Sequence, residues 1–68
     1  MNAKEVGETI KNRRKELNII QPHLAELAGI SVNTLYKIER GQNNPTFDVL
    51  VKILEVLGLE LKIETRKT

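Results

Sequence analysis

The chain has 68 residues, one histidine, no cysteine and a formal net charge of +2, from eleven Lys and Arg against nine Asp and Glu. That length makes one domain with a thin core, and the lack of cysteine excludes disulfides or a cysteine-ligated metal as reinforcement. The small positive charge leans toward an anionic partner without identifying one, while the absence of an apolar run near the roughly 20 residues of a membrane span, or of a secretory leader, sets the expectation of a soluble cytoplasmic protein with no membrane partner.

The first predicted helix runs from about Ala3 to Leu17, where Val6, Ile10 and Leu17 recur on one face with Arg13 and Arg14 near the same seam. Lys11, Arg13, Arg14 and Lys15 form a basic cluster there, whereas the acids Glu55, Glu60 and Glu64 gather toward the end of the chain. In the second helix Leu24, Leu27 and Ala28 lie at i, i+3 and i+4 and make one apolar stripe. Gly29 follows where a chain leaving a helix commonly turns left-handed, and Ile30 is placed to plug the corner. Ser31 offers a hydroxyl to the free amides of a third helix, from Val32 to about Glu39, with Leu35 and Ile38 facing inward and Gly41 as the stop. Ala25 is small where two steeply crossing helices bring their backbones together.

Arg40 to Pro45 is polar and rich in turn formers, so it reads as a surface loop. Thr46 caps a fourth helix, Asp48 suits its first turn, and Phe47, Leu50, Val51, Leu54 and Leu57 form a wide apolar face that ends at Gly58. The period then changes: Leu59, Leu61 and Ile63 alternate with Glu60, Lys62 and Glu64, the two-residue repeat of a half-buried strand. No second strand exists in the chain to pair with it, so the expectation is the same strand from another copy, antiparallel across a two-fold axis, giving a homodimer joined through Leu59, Leu61 and Ile63. The alternative is a frayed or helical tail over residues 59–68. Two units result, a helical domain over 1–58 and a dimerisation strand and tail over 59–68.

Two short helices meeting across a tight turn are the layout of a helix-turn-helix. Gln21, Leu24, Ala25, Ala28, Gly29, Ile30, Leu35, Ile38 and the Glu39-Arg40-Gly41 run together resemble the Xre family, the small regulators of phage-repressor and Cro type. The likeness extends through Arg13, Arg14 and Leu17 upstream and Asn44, Pro45 and Thr46 downstream, covering roughly Val6 to Leu59. It implies an all-α, compact four-helix fold of the lambda-repressor kind, here with the added C-terminal strand.

The resemblance also implies roles. The first turn of the third helix enters the major groove and presents Val32, Asn33, Tyr36 and Lys37 to the bases. Asn33 suits an adenine edge, Lys37 a guanine and Val32 a thymine methyl. Tyr36 has two readings, a ring along the groove wall with its hydroxyl on a phosphate, or a cover for the edge of the core. Phosphate contacts come from Gln21 and Thr34, which match family positions, and from Arg40, Gln42 and Asn43 in the following loop. Asn44 either joins them or holds the turn before Pro45, and His23 touches a phosphate or faces solvent. Arg14 and Glu39 match a family pair in which an arginine of the first helix meets a glutamate at the end of the third. A partly buried structural ion pair is therefore expected, with Arg13 left as the surface cation. The chain departs from the pattern at Ile20, where a serine or threonine usually caps the second helix and contacts a phosphate, and at Pro22, which removes an orphan amide instead.

The function these features imply is a sequence-specific, dimeric regulator, a repressor binding a pseudo-palindrome in double-stranded DNA. The short alternating strand directly after the fourth helix further resembles antitoxins of the HipB type, which repress their own operator and hold a kinase-like toxin as protein partner. The reading from a different class is a protein-interaction module with the same fold and no specific DNA binding. An enzyme is not expected, since one His, one Asp, one Ser and no Cys leave no nucleophile and base, no metal site and no glycine-rich phosphate loop. No cofactor is expected either.

Overall fold

The computed structural model describes residues 1–66 and contains four α-helices: α1 (Ala3–Glu16), α2 (Gln21–Ala28), α3 (Val32–Glu39) and α4 (Phe47–Val56). Three of them begin on a side-chain cap that satisfies an amide the helix leaves unpaired. Asn2 Oδ1 accepts from the Glu5 amide at 2.9 Å, Ser31 Oγ from Thr34 at 3.1 Å and Thr46 Oγ1 from Val49 at 3.2 Å. The exception is α2, whose N-cap Ile20 has no acceptor and whose second residue is Pro22.

All four helices end alike. One or two residues past each end the chain takes a left-handed conformation, and the next amide reaches back five residues: Ile19 to Arg14, Ile30 to Ala25, Gln42 to Lys37 and Leu59 to Leu54, at 2.8–3.1 Å. The left-handed positions are Gly29, Gly41, Gly58 and, with φ 57°, Asn18, the short amide side chain that best tolerates this region after glycine.

One buried cluster holds the helices together: Ile10 from α1, Leu24, Ala25 and Ala28 from α2, Leu35 and Ile38 from α3, and Ile53 and Leu57 from α4 and its cap. Ala25 is 1% exposed where α2 meets its neighbours, which accords with the need for a small residue at a close crossing. Gly7 has the same part in α1. A Cβ there would collide with the Ile38 carbonyl oxygen and sit 2.8 Å from that of Glu39, so α1 lies directly on the last turn of α3. Gly41 continues the contact, since a Cβ on it would fall 2.7 Å from the Lys4 Cα.

Several sequence expectations need correction. Leu17 and Leu27, assigned to inward stripes, are exposed, and Phe47 lies outside the core although it opens the apolar face of α4. Leu17 is the cap residue beyond the end of α1 and Phe47 the first residue of α4, both at helix ends, while Leu27 lies at the margin of the α2 stripe. No strand is present among the described residues: 59–66 have no regular structure, because the single chain offers them no partner backbone. Leu59 instead folds back to close α4 and packs half-buried against the core, while Leu61 and Ile63 remain exposed. Residues 67 and 68 of the expected tail lie outside the described part. Among the described residues, no helix is long and apolar enough to cross a membrane.

Candidate nucleic-acid interface

The α2–turn–α3 unit is built around its ion pair. Arg14, at the end of α1, donates from Nε to Glu39 Oε2 at 2.7 Å and from Nη2 to Glu39 Oε1 at 3.0 Å, a bidentate match of guanidinium to carboxylate. The side chains are 10% and 2% exposed, so both charges are withdrawn from water. The remaining Nη1 donates to the Ile19 carbonyl at 2.8 Å, which ties the α1–α2 loop to the pair. Gln21 Nε2 completes the network by donating to Glu39 Oε1 at 2.9 Å. The first residue of α2 is thereby joined to the last residue of α3.

This network has an electrostatic result. Glu39 is the only acid in α3, and its charge is spent on Arg14 inside the protein. The exposed side of α3 keeps Lys37, and Arg40 follows directly, so the outward face is cationic although the whole chain carries only +2.

Val32, Asn33, Tyr36 and Lys37 are all exposed on α3, while Leu35, Ile38 and Glu39 point inward. Thr34 is half-buried and its hydroxyl accepts from the Ser31 hydroxyl at 2.8 Å, which fixes the first turn of the helix. Gln21 is half-buried, with one of its two amide hydrogens committed to Glu39 and the other without a partner among the described residues. Arg40 and Gln42 are exposed in the loop. Asn43 is half-buried and its Oδ1 accepts from the Asn44 amide at 3.0 Å, so Asn43 rather than Asn44 holds the turn before Pro45. His23 faces solvent.

Arg13 departs from its expected place as a surface cation. Its Nε donates to the Leu57 carbonyl at 2.9 Å, and Nη1 lies 3.5 Å from Glu16. A cation at the carbonyl end of α4 is favourably placed against that helix's dipole. Sequence spacing links Arg13 to Glu16 but carries no signal for a partner 44 residues away. The Gln21 to Glu39 bond was missed for the same reason. A further contact has a local signal: Tyr36 and Arg40 are i and i+4 on a helix, and the Arg40 Cζ lies 5.4 Å from the centroid of the Tyr36 ring.

Comparison with known proteins places this geometry among regulators. A family model described as Helix-turn-helix (HTH_3) matches residues 10–63. The chain is 40% identical over 55 residues to a putative HTH-type transcriptional regulatory protein of Methanococcus vannielii, covering 81% of this chain and 17% of that protein. It is 35% identical over 57 residues to the cryptic phage CTXphi transcriptional repressor RstR of Vibrio cholerae, covering 84% of this chain and 51% of RstR. This chain thus spans about half or less of these relatives. Among solved structures, the restriction-modification controller protein C.AhdI from Aeromonas hydrophila superposes with a TM-score of 0.81 at 26% identity, covering 85% of this chain and 88% of that one. The clp gene regulator ClgR from Corynebacterium glutamicum shares the fold with a TM-score of 0.81 at 23% identity, over 84% of this chain and 61% of that one.

Proposed function

The chain belongs to the helix-turn-helix family of Xre type, and from that premise we propose that it is a sequence-specific DNA-binding transcriptional regulator, a cytoplasmic repressor that occludes a promoter. The observation that carries this reading is the outward face of α3: Val32, Asn33, Tyr36 and Lys37 are exposed on a helix whose sole acid is sequestered by Arg14. Asn33 and Lys37 read base edges and Val32 packs on a thymine methyl. Gln21, Thr34, Arg40 and Gln42 contact phosphates, and Asn43 does so from a side chain already committed to its own turn. Arg14 and Glu39 act structurally, holding the angle between the helices without touching DNA. The identity to RstR, named as a repressor, supports repression over activation.

The regulator works as a dimer on a pseudo-palindrome whose half-sites lie about one helical turn apart. Exposed apolar side chains support this: Phe47, Leu61 and Ile63 line one shallow groove with Val51, Leu54 and Leu59. An antitoxin role alongside a kinase-like toxin rests on the C-terminal tail alone, which favours a stand-alone repressor.

Selection of binding sites from a random duplex library tests the proposal. A two-fold symmetric motif is expected, and Asn33→Ala or Lys37→Ala is expected to weaken it by about 1–3 kcal/mol at one defined base. Recovery of no motif, with only weak binding erased by salt, would replace the repressor with a protein-interaction module of the same fold.

A further inference from the structure

The Tyr36 ring and the Arg40 guanidinium form a contact that base reading does not use. The two side chains stand one turn apart on α3, 5.4 Å from ring centroid to Cζ, within the range of a cation–π interaction. The backbone beneath them is fixed: the Arg40 amide bonds the Tyr36 and Lys37 carbonyls, each at 3.2 Å. Among the described residues, no carboxylate or carbonyl holds the Arg40 guanidinium, and the Tyr36 ring lies within cation–π range of it. Tyr36 is 45% exposed and its hydroxyl makes no hydrogen bond there, so it does not serve to seal the core.

We infer that Tyr36 is a positioning residue for Arg40, and that it adds to DNA affinity through that guanidinium rather than by reading a base. The inference rests on the DNA-binding reading above. A long arginine side chain loses rotamer freedom when it binds a phosphate, and a ring that already holds it lessens the loss. A guanidinium resting on a ring still has N–H groups free at its edge, and those are the groups that bind phosphate in a bidentate manner. Removal of water from the contact on DNA binding strengthens the cation–π term. Asn33 and Lys37 have no comparable support from a neighbouring side chain among the described residues.

A double-mutant cycle on the selected operator, read by fluorescence anisotropy over a range of salt, tests this. Arg40→Ala is expected to weaken binding about tenfold. The loss should be equal on operator and scrambled duplex, with a salt slope shallower by about one. Tyr36→Leu should weaken binding about two- to fivefold where Arg40 is present, and have no effect in the Arg40→Ala background. Tyr36→Phe, which retains the ring, should preserve affinity and base preference. Both positions are exposed, and thermal melts of each variant establish that it folds. Additive losses from the two sites, or a changed base preference in Tyr36→Phe, would overturn the inference while leaving DNA binding intact. Failure of the unmodified protein to bind any duplex would remove both together.

Discussion

Arg14 and Glu39 contribute more to order than to net stability. A paired, buried guanidinium and carboxylate recover in mutual attraction much of what they lose in hydration, so the pair itself is close to neutral, whereas a single survivor is stranded. Glu39→Ala is therefore expected to cost about 3–5 kcal/mol, because Arg14 and the Gln21 amide lose their acceptor together. In so small a domain that is a large part of the total. Urea denaturation followed by circular dichroism measures it, and the double replacement Arg14→Met with Glu39→Leu should be markedly milder than either single one. Equal losses in the single and double variants would mean that the cost is not that of an unpaired charge. Gly7 makes a similar point by sterics. Gly7→Ala would raise helix propensity in isolation, yet its methyl group meets the Ile38 carbonyl, so a net loss of about 1–3 kcal/mol is expected from the same denaturation curves.

At the scale of elements, α2 is the helix with the poorest start. Ile20 has the extended backbone of a cap, with φ −81° and ψ 156°, but no side-chain acceptor and 65% exposure. Ile20→Ser should offer the His23 amide, which now bonds the Ile20 carbonyl at 3.1 Å, a side-chain acceptor like those of the other three helices, and remove an exposed apolar side chain. A gain of about 0.5–1 kcal/mol is expected, toward the low end for caps because Pro22 has already eliminated one orphan amide. A melting temperature unchanged or lowered would show that the cap geometry is not attained. The helix boundaries were legible because their signals are local: Ser31, Thr46, Gly29 and Gly41 each act within a few residues of their own position. What escaped was set by distant partners. Gly7 resembles a defect until the last turn of α3 is laid on it, and Arg13 resembles a surface charge until α4 ends beside it. Leu27 shows the converse error, a stripe position that no neighbour covers. The outward positions of α3 were legible from its period, and Val32, Asn33, Tyr36 and Lys37 are exposed as expected. Of its supports, the contact of Tyr36 with Arg40 has a local signal in their i, i+4 spacing, whereas the bond from Gln21 to Glu39 joins residues 18 apart and has none.

For the whole molecule, the C-terminal tail is where the proposed dimer can be tested. Among the described residues, eight buried apolar side chains form a modest core and the tail adds Leu59 to its edge, leaving Leu61 and Ile63 exposed and without backbone hydrogen bonds. A second copy would cover both apolar side chains and satisfy the backbone in one step, which a lone chain has no means to do. The combined variant Leu61→Lys and Ile63→Lys places like charges opposite each other in such a ribbon, while touching nothing in the buried cluster. The proposed dimer predicts that the unmodified protein sediments as a dimer and this variant as a monomer. Affinity for the symmetric operator should fall on the order of 10²-fold or more as two linked half-sites become independent, and binding to a single half-site should stay nearly unchanged. A unimolecular melt close to that of the parent at high dilution would show that the helical body is intact. Dimers that persist in this variant would transfer the interface from the tail to another face, with the exposed Phe47 side of α4 as the next surface to substitute.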